Sequence, residues 1–109
     1  MAYDEGLAQR VREALATRAG VTEKKMFGGL CFLVRGHMAC GIVGNELMVR
    51  TGPHAWADAL AQPHAREMDF TGRALRGFVY VDSPGIEDDD ALGTWVRRGT
   101  DYAASLPPR

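Results

Sequence analysis

The 109-residue sequence has little cysteine, no excess of charge of either sign and no long apolar run, and each shortage excludes something. Two cysteines, Cys31 and Cys40, are too few to staple a secreted scaffold, and a chain of this length builds a core without staples, so free thiols in a reducing compartment are expected. The 13 Lys and Arg against 14 Asp and Glu leave a formal net charge of −1, which gives no global field to attract nucleic acid or an anionic membrane. No apolar run approaches the roughly 18 residues of a membrane helix. The start carries acidic Asp4 and Glu5 instead of a basic and then apolar export signal. The expected compartment is therefore the cytoplasm, with no membrane partner.

Catalytic and cofactor signatures are equally scarce. Ser83 and Ser105 stand outside any G-x-S-x-G elbow. A Cys-His pair could be drawn from Cys31 or Cys40 with His37, His54 or His64, but both cysteines lie within apolar runs, where burial outweighs activation. His37-x-x-Cys40 with Cys31 nearby offers zinc ligands, yet residues three apart on a strand point to opposite faces and need a bulge to close on one ion, and a four-ligand set is missing. The glycines of Phe27-Gly28-Gly29 precede a strand and not a helix, so they lack the dipole of a phosphate loop and fit a bulge or a close backbone approach. The acidic run Glu87 to Asp90 has no calcium-loop spacing and suits the first turn of a helix. No catalytic residue, no metal and no cofactor is expected, and the chain reads as a non-enzyme.

What is present is ordinary globular composition, 46% apolar and 25% charged, sufficient for one domain over residues 1–109 with its core at about 3–106. Lys25 to Arg50 organises it. Leu30, Phe32 and Val34 fall on one side of an extended chain and Cys31 and Leu33 on the other, so this strand is apolar on both faces and suits the middle of a sheet. Arg35-Gly36-His37 and Gly44-Asn45-Glu46 break the run into hairpins with Met38 to Val43 and Leu47 to Val49.

Ahead of these strands, Tyr3, Leu7, Val11 and Leu15 recur every four residues as an amphipathic helix that Gly20 ends. After them, Thr51-Gly52-Pro53 reads as the start of a short helix carrying Trp56, Ala57 and Leu60, stopped at Gln62-Pro63. Met68 and Phe70 face inward on a fourth strand, Thr71-Gly72-Arg73 turns the chain, and Arg76 to Asp82 forms a fifth strand. Leu92, Trp95, Val96, Gly99, Tyr102, Ala103 and Leu106 trace a last helix before Pro107-Pro108. The spacing predicts α-β-β-β-α-β-β-α, a mostly antiparallel five-stranded sheet with packed helices, in the α+β class.

The cysteines depend on the first hairpin turn. A turn symmetric about Arg35-Gly36 sets Cys31 opposite Cys40, a candidate redox pair; a Gly36-His37 turn, which suits type II′ better, sets Cys31 opposite Ile42 and separates the thiols. Lys24, Lys25, Arg50, Arg66, Arg73 and Arg76 lie at strand ends or turns and could gather at one edge as a patch for nucleic acid or an acidic protein. Of Phe27, Trp56, Trp95 and Tyr102, whose exposed faces could serve an interface, the spacing gives both tryptophans to the core.

Met26-Phe27-Gly28-Gly29 ahead of a strand, the Cys40-Gly41-Ile42 strand and Leu47-Met48-Val49-Arg50 are followed by Met68-Asp69-Phe70-Thr71-Gly72-Arg73 and Gly77-Phe78-Val79-Tyr80-Val81. In that order they resemble the N-terminal domain of the TfoX/Sxy family, over roughly Tyr3 to Leu106. The resemblance implies a fold similar to the secretion-chaperone-like group, α-β(3)-α-β(2)-α, and a bacterial role as a co-regulator of competence beside a transcription activator. Larger members carry a second domain resembling a helix-hairpin-helix module, and a stand-alone N-terminal domain is expected here. The resemblance supplies no catalytic residues. The candidate interaction residues are Met26, Phe27, Gly28, Gly29, Arg50 and Arg73. The leading expectation is a regulatory module that meets a protein partner through an edge or open face of its sheet, with a homodimer as one form of that contact. The alternatives are nucleic-acid binding through the Arg and Lys edge, and a small-molecule binder or enzyme of unknown chemistry.

Overall fold

Asp4 accepts a hydrogen bond from the Leu7 amide and so starts the first helix, α1 (Glu5–Ala14), which sets Leu7, Ala8 and Val11 on one buried stripe. The computed structural model describes residues 3–26, 28–70 and 73–107, and at positions 70, 73 and 74 the backbone alone. The chain continues through β1 (Val21–Met26), β2 (Gly29–Val34), β3 (His37–Val43), β4 (Glu46–Arg50), α2 (Trp56–Leu60), β5 (Ala65–Phe70), β6 (Arg73–Val81), a 3-10 turn at Ser83–Ile86 and α3 (Asp89–Ala104). The strands form one antiparallel sheet in the spatial order β1-β2-β3-β4-β6-β5.

The α+β class and the antiparallel sheet are as the sequence implies. Among the described residues the strand count is six, not five, because Val21–Met26 pairs along the whole of β2. Thr22, Glu23, Lys24 and Lys25 are all exposed there, so this edge strand carries no buried alternation for a periodicity argument to detect. The short helix also starts later than Thr51-Gly52-Pro53 suggests. The amides of Thr51 and Gly52 donate to the carbonyl oxygen of Gly77, prolonging the contact of β4 with β6, and α2 begins only at Trp56.

The helices lie on one face of the sheet. Leu92, Trp95 and Val96 of α3 and Leu7 and Val11 of α1 pack with Leu30, Phe32, Cys40, Ile42, Leu47, Val49, Val79 and Val81, and Trp56 and Leu60 of α2 border the same core. Asp88 caps α3 by accepting from the Ala91 amide, which assigns the acidic run to a helix start. Gly99 brings α3 against β3: a Cβ there would overlap the Ala39 carbonyl oxygen.

Arg12 of α1 holds Glu23 of β1 through two hydrogen bonds of 2.7 and 3.0 Å. That contact holds the Glu23 carboxyl below its ordinary range, against a smaller opposing effect of burial. A folded value below the unfolded one means the contribution is complete at neutral pH and is lost as the pH falls through the depressed folded value. Amide exchange in β1, corrected for the intrinsic rate, is therefore expected to quicken below about pH 4 before exchange in β3 does; simultaneous loss of protection in both strands would contradict it.

Candidate functional site

The Met26 to Gly29 stretch forms the first hairpin. Met26 pairs with Gly29, and Gly28 has a φ of 73°, in the left-handed region. Phe27 lies outside the described residues. Gly29 is buried at the start of β2, where a Cβ would overlap the Ile42 carbonyl oxygen of β3 and stand 3.0 Å from its carbon. This motif therefore fixes backbone spacing between strands. A strand follows it, as expected, so it is no phosphate loop.

The hairpin turn between β2 and β3 is Arg35-Gly36, with φ of 51° and 87°, the pair of positive values of a type I′ turn. Neither expected cysteine register follows from it. The register shifts between Phe32 and Leu33, leaving Ala39 as an extra residue on β3, so that Cys31 sits opposite Gly41 and Cys40 opposite Phe32. The redox pair is thereby corrected: Cys40 lies in the core under the helices, whereas Cys31 lies on the other face. Both thiols are free, and burial raises them to about 12 and about 11. Neither is expected to react with a thiol reagent at pH 8 in the native protein, both should react in denaturant, and a disulfide formed under mild oxidant without unfolding would contradict this placement.

The bulge at Ala39 is the feature a His37-Cys40 metal pair would need. Instead, His37 Nε2 hydrogen-bonds the Pro107 carbonyl oxygen and Cys40 is sealed in the core. Among the described residues no three His, Cys, Asp or Glu side chains gather to hold an ion.

Opposite the helices lies a second apolar surface. Cys31, Met48 and Met68 are buried at its centre, with Met26, Leu33, Met38, Leu75, Phe78 and Tyr80 half-buried around them. Every described methionine, Met26, Met38, Met48 and Met68, belongs to this surface. Its floor is a close fit, since a Cβ on Gly41 would meet Met48 Cε at 2.8 Å and Cys31 Sγ at 3.1 Å. The described helices pack on the other core, leaving this face without a covering helix. Methionine side chains, flexible and polarizable, reshape to fit varied apolar partners.

The charges around this face are arranged unevenly. Arg66 hydrogen-bonds Asp82 at 3.0 Å, makes a short bond to Glu46 and lies 4.8 Å from the Tyr80 ring centroid. Contact with Arg66 depresses the Asp82 carboxyl, and burial raises the Tyr80 hydroxyl. Arg50, at the end of β4, stands between the Phe78 and Tyr102 rings at 5.7 and 5.4 Å, and Arg76 lies 6.0 Å from the Trp56 ring. Tyr102 comes this close because Gly52, with a φ of 82°, leaves no side chain under its ring. Of the expected basic edge, the structure brings Arg50 and Arg76 to one corner, sets Lys24 across the sheet beside Cys31, and ties Arg66 to carboxylates. Arg73 is described in its backbone alone, at the β5–β6 hairpin.

The apolar face was half legible. The two-sided apolarity of β2 announced a buried strand, but Leu33, Met38, Phe78 and Tyr80 were not distinguished from core. The signal available was the placement of every internal methionine in a strand segment.

Elsewhere a groove of about 480 Å³ runs between α1 and α3, bordered by Arg10, Arg18, Asp89 and Arg97. Arg10 bonds Asp89 and the carbonyl oxygens of Ile86 and Glu87, and Arg18 bonds Asp101, so these charges pin the two helices together. No described helix is long and apolar enough to cross a membrane.

Fold and surface define a small α+β domain with helices on one side of an antiparallel sheet and an apolar, methionine-lined opposite face. The chain belongs to the TfoX N-terminal domain family, whose family model matches residues 13–103. No curated protein and no solved structure matches it.

Proposed function

We propose that the chain is a non-enzymatic regulatory module that acts by protein–protein contact, as a co-regulator beside a transcription activator, and that the methionine-lined face of the sheet is the contact surface. The observation that carries this reading is the apolar face centred on Cys31, Met48 and Met68 with no described helix over it. A contiguous apolar patch of this kind marks an interaction site in soluble proteins. Membership of the TfoX N-terminal domain family supports the regulatory half.

The test is affinity purification of the tagged chain from its own cells after nuclease treatment, run beside Leu33→Asp. Leu33 is half-buried on this face, so an aspartate there places a charge on the surface and leaves the helix-side core intact. A transcription activator or polymerase subunit retained near one-to-one by the parent and lost from Leu33→Asp is the expected result. Equal retention by both would remove the face from the reading, and an absence of any such protein from the parent would remove the regulatory role.

A further inference from the structure

Resting on that reading, we infer that the segment seated on this face is an amphipathic helix with acidic flanks. The first part of the argument is charge. The cross-strand register places Lys24 opposite Cys31 and Arg66 opposite Tyr80, on the apolar face. Glu46 and Asp82, the carboxylates at that face, are both bonded to Arg66. Lys24 and Arg50 take part in no ion pair among the described residues, whereas Arg76 stands against the Trp56 ring of α2, on the helix side. The face thus presents unpaired positive charge although the whole chain carries −1. Arg50 is also presented in a fixed place, since two aromatic rings flank its guanidinium and leave its N–H fork for a carboxylate.

Backbone chemistry is the second part. The inner strands β2, β3, β4 and β6 are paired on both sides, so a partner lying across them meets side chains and finds no free ladder to extend. A helix, which satisfies its own backbone, is the element that fits such a face; an extended peptide would bury unpaired amides there. The same sheet already accepts a helix on its other side, where α3 packs on β2, β3 and β4. A second copy of the chain is the poorer occupant, because it would bring Lys24 and Arg50 against a face with the same unpaired charge.

Synthetic 18-residue helices provide the probe: one with a leucine stripe and glutamate flanks, one with the same stripe and lysine flanks, and one with the glutamate composition scrambled to destroy the stripe. Fluorescence anisotropy at low and moderate salt is expected to show the glutamate helix binding at least tenfold tighter than either other peptide, with the advantage shrinking as salt rises. Lys24→Glu, at an exposed side chain, should remove the preference for the glutamate helix without shifting the melting temperature, and Arg76→Glu, on the helix side, should leave that preference unchanged. Arg50→Glu should weaken the glutamate helix further.

The inference is overturned by equal or tighter binding of the lysine helix, by equal binding of the scrambled peptide, by no binding of any peptide, or by indifference to the charge reversal. It is also overturned if an oligonucleotide competes for the same residues, or if sedimentation shows a dimer that Leu33→Asp dissolves. None of these peptide outcomes alters the pull-down comparison with Leu33→Asp, which tests the contact surface by itself.

Discussion

Gly29→Ala is expected to lower stability by about 3 kcal/mol, the upper part of the range for overpacking a tight site, and the melting temperature by roughly 10 to 20 °C. The added Cβ would overlap the carbonyl oxygen of Ile42, and backbone cannot move aside as a flexible side chain would. The register Leu30–Ile42 and the whole hairpin sit on that contact. The neighbouring glycine provides the control. A Cβ on Gly28 meets open space, so Gly28→Ala carries the strain of a positive φ alone, about 1 to 2 kcal/mol. Thermal melts of the two variants should differ clearly, and equal losses would show that the motif serves turn conformation and not strand spacing.

Phe32→Ala is the second large effect, at about 3 to 5 kcal/mol, because Phe32 is 1% exposed and packs in the core beneath the helices. The adjacent Leu33→Ala is expected to cost no more than about 1 kcal/mol, since Leu33 is half-buried on a face with no described helix over it. Two neighbours on one strand, both apolar, thereby separate the two surfaces of the sheet by a single stability comparison. Denaturant melts giving similar losses would mean that the second face is closed in solution. Leu33→Asp, with the fold kept and the partner lost, extends the same comparison from stability to binding.

The hairpins show where local reasoning reaches its limit. Glycines and apolar runs locate three strands of the organising stretch, but Val21 to Met26 carries no such signal, because an edge strand exposing four polar side chains has no pattern to read. The turn at Arg35-Gly36 was among the alternatives open from spacing, yet one unpaired residue, Ala39, shifted everything beyond it. Because the side-chain period of a strand is two, that single residue decides whether two cysteines meet or lie on opposite faces.

The charged residues follow the same division. Six Lys and Arg at strand ends suggested an edge patch, and sequence has no means of telling a paired cation from a free one. Arg66 is neutralised by Glu46, some 20 positions away, and by Asp82, whereas Arg50 meets two rings drawn from β6 and α3.

By itself the sequence determined the α+β class, the antiparallel hairpins, the helical stripes and the structural use of Gly28-Gly29, because these depend on local propensity, turn chemistry and periods of 2 and 3.6 residues. Tertiary structure alone decided which apolar side chains became core and which became surface. Both sides of β2 are apolar, but the described helices cover one face only, and where a helix packs is settled by contacts between residues far apart in the chain.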